Sequence, residues 1–358
     1  MAARTGRATT TEGSRSSSSS AASPNVSPNV SPGASPNVSP GASPNPSPFV
    51  FALCQPGAEP VVRAELQALG LSPSFSASGF VTAKAPTPLT VSVLPRPTFA
   101  RRLCLSLADE RDGAALAARL GAVLHRADGT DAEGTHADRG RPAVDGELVV
   151  TVVERGRVFV GVHRQGPGVG CDPAGDARLA VPPTAPSRAW LKLEEAARVW
   201  PLPLATGDAV VEVGCAPGGM TRALLDRGAC VLGIDRNAMD PRIVAEPRFR
   251  HLRTSVRHVE ASLVPSAAAG PVRLLVVDMN LPPHSALSAL TPVARAVRPT
   301  LRGALFTLKL GRWELADEVP AWRARIAKML STPGRPWTTQ ATQLPSNRQE
   351  LTVYATPV

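Results

Sequence analysis

The chain is short of lysine. Of its 39 basic side chains only four are lysines, Lys84, Lys192, Lys309 and Lys328, so arginine carries nearly all the positive charge. Arginine keeps its proton near neutrality, whereas a desolvated lysine can lose it. The lysines that remain are therefore the ones to follow. Aromatic residues are also scarce, at 4% with a single tyrosine. The five cysteines (Cys54, Cys104, Cys171, Cys215 and Cys230) form no CxxC pair, and the six histidines form no HExxH. A metal site and a disulfide framework are therefore not expected, and a reducing, cytoplasmic setting fits this cysteine usage. No apolar run approaches the roughly 18 residues of a membrane-spanning helix, which predicts a soluble chain with no membrane partner.

What is present begins with charge. The net charge is +10 and uneven: residues 187–358 hold 22 basic against 14 acidic side chains, while residues 49–186 balance. A basic C-terminal half points to a polyanionic partner, nucleic acid first. Residues 1–48 run from SRSSSSSAA into SPNVSPNVSPGASPNVSPGASPNPSP. Proline at every fourth position forbids a helix, and too few large apolar groups remain to offset ordering entropy. A disordered repeat tail is expected.

Residues 49–163 read as a small α+β module. FVFALC is a strand, a helix ends at Gly70, and FVTAKA, TVSVL and RLCLSL are short strands. GAALAARLGAVLHRA reads as a helix, DGTDAEGTHADRGRPAVDG as a polar loop, and two strands turn at Arg155-Gly156. Residues 164–186, rich in Gly and Pro, read as a linker. Residues 187–358 then alternate between helix and strand, with RWELADEV and AWRARIAKML forming a helix interrupted at Pro320. This alternation predicts an α/β doubly wound sheet with a crevice at the C-terminal ends of its strands.

The loop in VEVGCAPGGMT lies on that crevice. A dinucleotide fingerprint has glycine at its second position so that pyrophosphate can approach the backbone. Here the loop is Gly214-Cys-Ala216-Pro217-Gly218-Gly219, with alanine at that position, and no G-x-x-x-x-G-K-[ST] occurs in the chain. Asp235 follows about 20 residues on, where a carboxylate can accept from both ribose hydroxyls. A nucleoside without phosphate fits, which points to S-adenosyl-L-methionine with its amino acid end beside Glu212.

Lys192 precedes the sheet, Asp278 ends RLLVVD, Lys309 lies near the end of ALFTLKL, and Glu350 opens the last strand. In a doubly wound sheet these positions converge on one crevice. A ribose hydroxyl is a poor nucleophile, and a lysine of lowered pKa could take its proton while the acids orient the ammonium groups.

SRAWLKLEEA, VEVGCAPGGMT, LLVVDMN, FTLKLG and NRQELTVY, in this order, resemble the FtsJ-like ribose 2′-O-methyltransferases, in particular the ribosomal RNA large subunit methyltransferase M family. The resemblance covers residues 186–356 and implies a Rossmann-like methyltransferase sheet over residues 187–358. It implies Lys192, Asp278, Lys309 and Glu350 as catalytic, with Lys309 as the base. Gly214, Ala216, Pro217, Gly218, Gly219 and Asp235 would contact S-adenosyl-L-methionine. The partner implied is large-subunit ribosomal RNA, methylated at a cytidine, and no oligomeric state follows. FALCQPGAEPVVRAEL extends the resemblance upstream, to a shortened ferredoxin-like and THUMP-type RNA-binding module. The sequence departs from the family at Met220, where tryptophan is usual, and at Ser255, where an acid near the adenine is usual.

Three other readings remain open at this stage. Asn280-Leu-Pro-Pro-His284 partly resembles the N-P-P-Y loop of base N-methylation, which needs an aromatic to stack a flipped base. Carbon-5 pyrimidine methylation needs a nucleophilic cysteine, and Cys215 and Cys230 lie in the cofactor half. A non-catalytic, cofactor-binding RNA chaperone or assembly factor is the third.

Overall fold

In a computed structural model, residues 43–108, 110–127, 146–166 and 179–358 are described. The repeat tail up to residue 42, most of the polar loop and half of the linker lie outside the described residues. Order begins slightly before Phe49: β1 spans Ser47–Cys54, two residues inside the segment expected as tail.

The first part folds as α1 (Glu59–Ala68), β2 (Ser72–Ala77), β3 (Phe80–Leu89), β4 (Ala100–Ser106), α2 (Gly113–Leu120), β5 (Val123–Arg126), β6 (Leu148–Glu154) and β7 (Val158–Arg164). Its strands form one seven-stranded sheet in the order β2-β3-β1-β4-β7-β6-β5. Two expectations fail here. GAALAARLGAVLHRA is not one helix: Gly121 takes a left-handed conformation at the end of α2 (φ 60°), and the following Val123-Leu124 pair in parallel with β6. Glycine without a Cβ terminates the helix at little steric cost, and the β-branched run behind it is captured by a sheet edge. TVSVL is a 3-10 turn at Val91–Val93 rather than a strand. Pro95 and Pro97 follow it and have no N–H to donate to a ladder. Strand β2, SPSFSA, shows no apolar alternation and is held by pairing with β3.

The second part comprises α3 (Ala189–Val199), β8 (Ala209–Val213), α4 (Gly219–Asp226), β9 (Cys230–Ile234), α5 (Pro241–Val244), β10 (Phe249–Leu252), α6 (Val264–Ala267), β11 (Val272–Val277), α7 (Pro283–Val297), β12 (Gly303–Lys309), α8 (Val319–Leu330), β13 (Trp337–Thr342) and β14 (Glu350–Pro357). The sheet order is β10-β9-β8-β11-β12-β14-β13. Strands β8 to β12 are parallel, and β14 runs antiparallel to both its neighbours. Pro320 opens α8 instead of interrupting a helix, because the first turn does not need its missing N–H.

Each central strand is apolar throughout because both faces are covered. Val210, Leu274, Val276 and Leu305 pack with Leu193, Ala196 and Leu224 of α3 and α4. The alternate residues Val211, Val213, Leu275 and Val277 join Leu290, Val293 and Ile326 of α7 and α8. Full burial of such side chains contributes about 1.5–3 kcal/mol each. The two sheets also touch. Phe99 meets Trp313 edge-on at 6.3 Å between ring centroids, and Gln343 N donates to Thr98 O at 2.9 Å. No helix among the described residues is long and apolar enough to cross a membrane.

Candidate active site

The apolar strand β8 ends at Val213, and the chain must turn at once to start α4. Gly214 makes that turn at φ +84°, and a Cβ there would come 2.5 Å from the carbonyl oxygen of Asp278. The same approach is made from the other side, since Asp278 N donates to Val213 O at 2.9 Å. Gly219 lets α4 start against α3, because a Cβ would lie 2.2 Å from Ser187 Oγ. Between them Ala216-Pro217 is a cis peptide bond. Asp235, just past β9, holds this loop: its Oδ2 accepts from Ala216 N at 3.1 Å and its Oδ1 from Asn237 N at 2.8 Å. Each oxygen keeps a second lone pair for another donor. Gly214, Ala216, Pro217, Gly218, Gly219 and Asp235 thus form one cradle at the C-terminal edge of β8 and β9.

Beneath the loop lies Glu212, 1% exposed, whose Oε2 accepts from Thr221 Oγ1 at 2.7 Å. Burial pushes its carboxyl up to about 8; the Thr221 bond acts in the opposite sense, and the charges of Asp278 and Asp235 push it further up. An acid whose folded pKa lies above its ordinary value of 4.5 costs the folded state as pH rises through the interval between the two. The melting temperature of the wild type should therefore fall relative to Glu212→Gln between about pH 5 and pH 8. Parallel melting curves over that range would remove this assignment.

The two lysines and two acids meet in a closed ring of alternating charge. Lys192 Nζ lies 3.0 Å from Asp278 Oδ2 and 2.9 Å from Glu350 Oε2. Lys309 Nζ lies 2.7 Å from Asp278 Oδ1 and 2.6 Å from Glu350 Oε1. All four side chains are mostly buried, with exposures between 10% and 21%. The ring assembles because β12 and β14 pair with Lys309 opposite Glu350, while Asp278 follows β11 next door. Burial works against the charge on Lys309, but the attraction of Asp278 and hydrogen bonds to Asp278 and Glu350 outweigh it and raise its pKa.

Sequence reasoning passed over the groups that hold this ring. Glu195, 5% exposed and one turn beyond Lys192 on α3, accepts at Oε2 from Ser346 N at 2.8 Å and from Ser346 Oγ at 2.7 Å. Fully buried Asn347 accepts at Oδ1 from Leu344 N and Thr352 Oγ1, both at 2.9 Å. The turn that delivers Glu350 is thus fastened to the helix that delivers Lys192. Glu195 could have been suspected from its i, i+3 spacing to Lys192. Its partner, about 150 residues away in the chain, leaves no local signal. Ser346→Ala removes a hydroxyl bond to a buried carboxylate and is expected to cost about 1.5–3 kcal/mol in denaturant unfolding. An unchanged midpoint would show the bond to be dispensable.

The departures from the family pattern have plain structural settings. Met220 is 2% exposed and packs in the core with Leu224 and Ile243. Ser255 caps a 3-10 turn, its Oγ accepting from Arg257 N at 3.4 Å. In the Asn280–His284 stretch Pro283 is buried at the start of α7, and His284 is exposed and supplies no stacking ring. Cys215 is 3% exposed and burial pushes its thiol pKa up, which leaves no ready nucleophile there. No group of three metal-ligating side chains occurs among the described residues.

Residues 185–315 match the family model for FtsJ-like methyltransferase. The chain is 33% identical over 186 residues to a Serratia proteamaculans protein named Ribosomal RNA large subunit methyltransferase M, covering 50% of this chain and 48% of that protein. Proteins of the same name from Halorhodospira halophila and Cellvibrio japonicus are 33% and 35% identical, each alignment covering 51% of this chain and 50% and 51% of theirs. The chain spans about half the length of the curated relatives it matches. With the glycine loop, the parallel sheet and the family match all falling on the same stretch, residues 185–315 form an FtsJ-like methyltransferase domain.

Proposed function

We propose that this chain is an S-adenosyl-L-methionine-dependent ribose 2′-O-methyltransferase that acts on large-subunit ribosomal RNA, at a cytidine, in the cytoplasm. The observation that carries the reading is the closed ring of Lys192, Asp278, Lys309 and Glu350 at the strand edge, where Asp278 abuts Gly214 of the loop. The names of the relatives support the RNA substrate, and the +10 net charge agrees with a polyanion.

The residues fit the cofactor. The loop offers only small side chains and a proline over its span, Asp235 retains acceptor capacity toward a ribose, and Glu212 lies below as a buried acid. Gly214, Ala216, Pro217, Gly218, Gly219 and Asp235 would hold it. When bound, S-adenosyl-L-methionine supplies an electrophilic methyl group on a sulfonium.

The chain's own part is to place a ribose hydroxyl and remove its proton. Lys309 Nζ, as the neutral amine, accepts the 2′-hydroxyl proton as the oxygen attacks. Lys192 stays charged and competes with Lys309 for the same two carboxylates. Added positive charge beside the pair and exclusion of water both favour the neutral amine. Asp278 and Glu350 hold both nitrogens in place, so much of the acceleration is positioning. The N-terminal sheet serves to hold RNA.

The test is transfer from labelled S-adenosyl-L-methionine to an unmodified large-subunit ribosomal RNA transcript, followed by nucleoside analysis. Label in 2′-O-methylcytidine is the expected result. Label on a base overturns the mechanism. Cofactor binding without transfer to transcript or to assembly particles would favour an RNA-binding assembly role.

A further inference from the structure

A cavity of about 190 Å³ opens where the N-terminal sheet meets β13, lined on one side by Arg96, Arg101, Arg102 and Arg164 and on the other by Thr342. An engineered cavity of about 150 Å³ takes a benzene-sized guest, so a tetrahedral anion with some of its water fits this space. No acidic side chain is among the described residues that line it. Four guanidinium groups around one concave, partly enclosed space focus positive potential there. Their planar forks match the paired oxygens of a phosphate.

The walls carry unmet hydrogen-bonding capacity as well. Gln165 is 5% exposed and its Oε1 has no partner; His163 is 1% exposed and its Nε2 has none. Both residues line the cavity, at the end of the strand that carries Arg164. A buried polar atom without a partner costs about 1–3 kcal/mol, so such atoms in a cavity wall signal a missing occupant. Burial holds the His163 pKa well below its ordinary value, leaving a neutral ring that can donate from Nε2. Some of the arginine capacity is already in use: Arg101 donates to Gln55 and to Pro345 O, and Arg164 to Gly146 O.

The position of the cavity matters. Thr342 ends β13, and the turn beyond it passes through Gln343, Pro345 and Ser346 to Glu350 of the charged ring. Gln343 N donates to Thr98 O in the cavity's neighbouring loop, and Arg101 reaches Pro345 O. The cavity and the ring are thus the two ends of one short, fastened turn.

We infer that this cavity binds a backbone phosphodiester of the RNA strand and sets the distance between that phosphate and the ribose presented to Lys309. The inference rests on the RNA-methylating reading of the site, but its binding part can be measured without any methyl transfer.

The test uses the full chain and the double variant Arg96→Ala/Arg164→Ala, both residues being exposed and remote from the ring. Arg96→Glu serves as a second variant. Binding of poly(U) and of an unmodified large-subunit ribosomal RNA transcript is followed across a salt series. The expected result is about tenfold weaker binding of both RNAs and a salt slope reduced by about 1 in the double variant. Affinity for S-adenosyl-L-methionine and the melting temperature should be unchanged. With transcript as substrate, KM should rise while kcat stays within about twofold. Wild-type RNA affinity and salt slope in both variants overturn the inference. Stabilisation of the wild type by inorganic phosphate, with RNA binding unaltered in the variants, overturns it too and makes the cavity a free-anion site. If the wild type binds RNA but transfers no methyl group, the methyltransferase reading fails while the poly(U) comparison still decides the cavity.

Discussion

Lys309→Arg is expected to lower the single-turnover rate of methyl transfer by about 10²–10⁴-fold, the usual contribution of a positioned base. Arginine keeps the charge that Asp278 and Glu350 bind, but it cannot accept the ribose proton. Lys309→Met should lose at least as much, and in both variants S-adenosyl-L-methionine affinity should stay within about threefold, since Lys309 pairs with Asp278 and Glu350 rather than with the loop. A pH profile sharpens the test. Attraction by Asp278 and Glu350 outweighs burial and raises the Lys309 pKa, so the neutral amine is a small fraction at neutral pH. That fraction grows tenfold per pH unit below the pKa, and the wild-type rate should climb about tenfold per unit from pH 6.5 to 8.5. Retention of more than a tenth of the rate by Lys309→Arg would falsify the base assignment and leave Lys309 an electrostatic role.

The second large effect is expected at Gly214. Gly214→Ala places a Cβ on a residue at φ +84° and 2.5 Å from the Asp278 carbonyl oxygen, which is backbone and cannot swing aside. Left-handed strain alone costs about 1–2 kcal/mol, and the clash adds to it. The substitution pushes apart the strand ends that carry the loop and Asp278, so stability, cofactor binding and transfer should fall together. A melting temperature lower by roughly 5–10 °C and cofactor binding weakened at least about tenfold are expected from thermal melts and calorimetry. Wild-type values in both would mean that the strand ends can separate without cost. Gly311→Ala is the control, because its left-handed turn (φ +71°) has no atom within 4 Å of an added Cβ. It should lose stability by the strain alone.

Local chemistry made the second half of the chain readable. RLLVVD and AVVEVG are apolar at every position because helices cover both faces, and each helix between them carries a one-sided stripe. The residues of the ring could be nominated because lysine is rare in this chain and each candidate stood at a strand end or on the first helix. The first half was less readable. GAALAARLGAVLHRA has helical composition throughout, yet its last third lies against β6 as a strand, and SPSFSA is a strand by virtue of its neighbour alone. Pairing with a strand distant in sequence overrides local preference, and no window of the chain contains that information.

The sequence by itself determined the doubly wound half, the glycine loop with its partner acid, and the identity of the four side chains that meet. Those features depend on periodicity, on backbone conformation and on residue chemistry, all of which are local. Tertiary structure alone decided that the four charges close into a ring and that this ring holds Lys309 protonated. It also decided that Glu195 and Ser346 fasten the turn leading to Glu350, and that four arginines surround one cavity at the junction of the sheets. Distances between groups far apart in the chain set Coulomb energies and hydrogen bonds, and only the folded chain sets those distances.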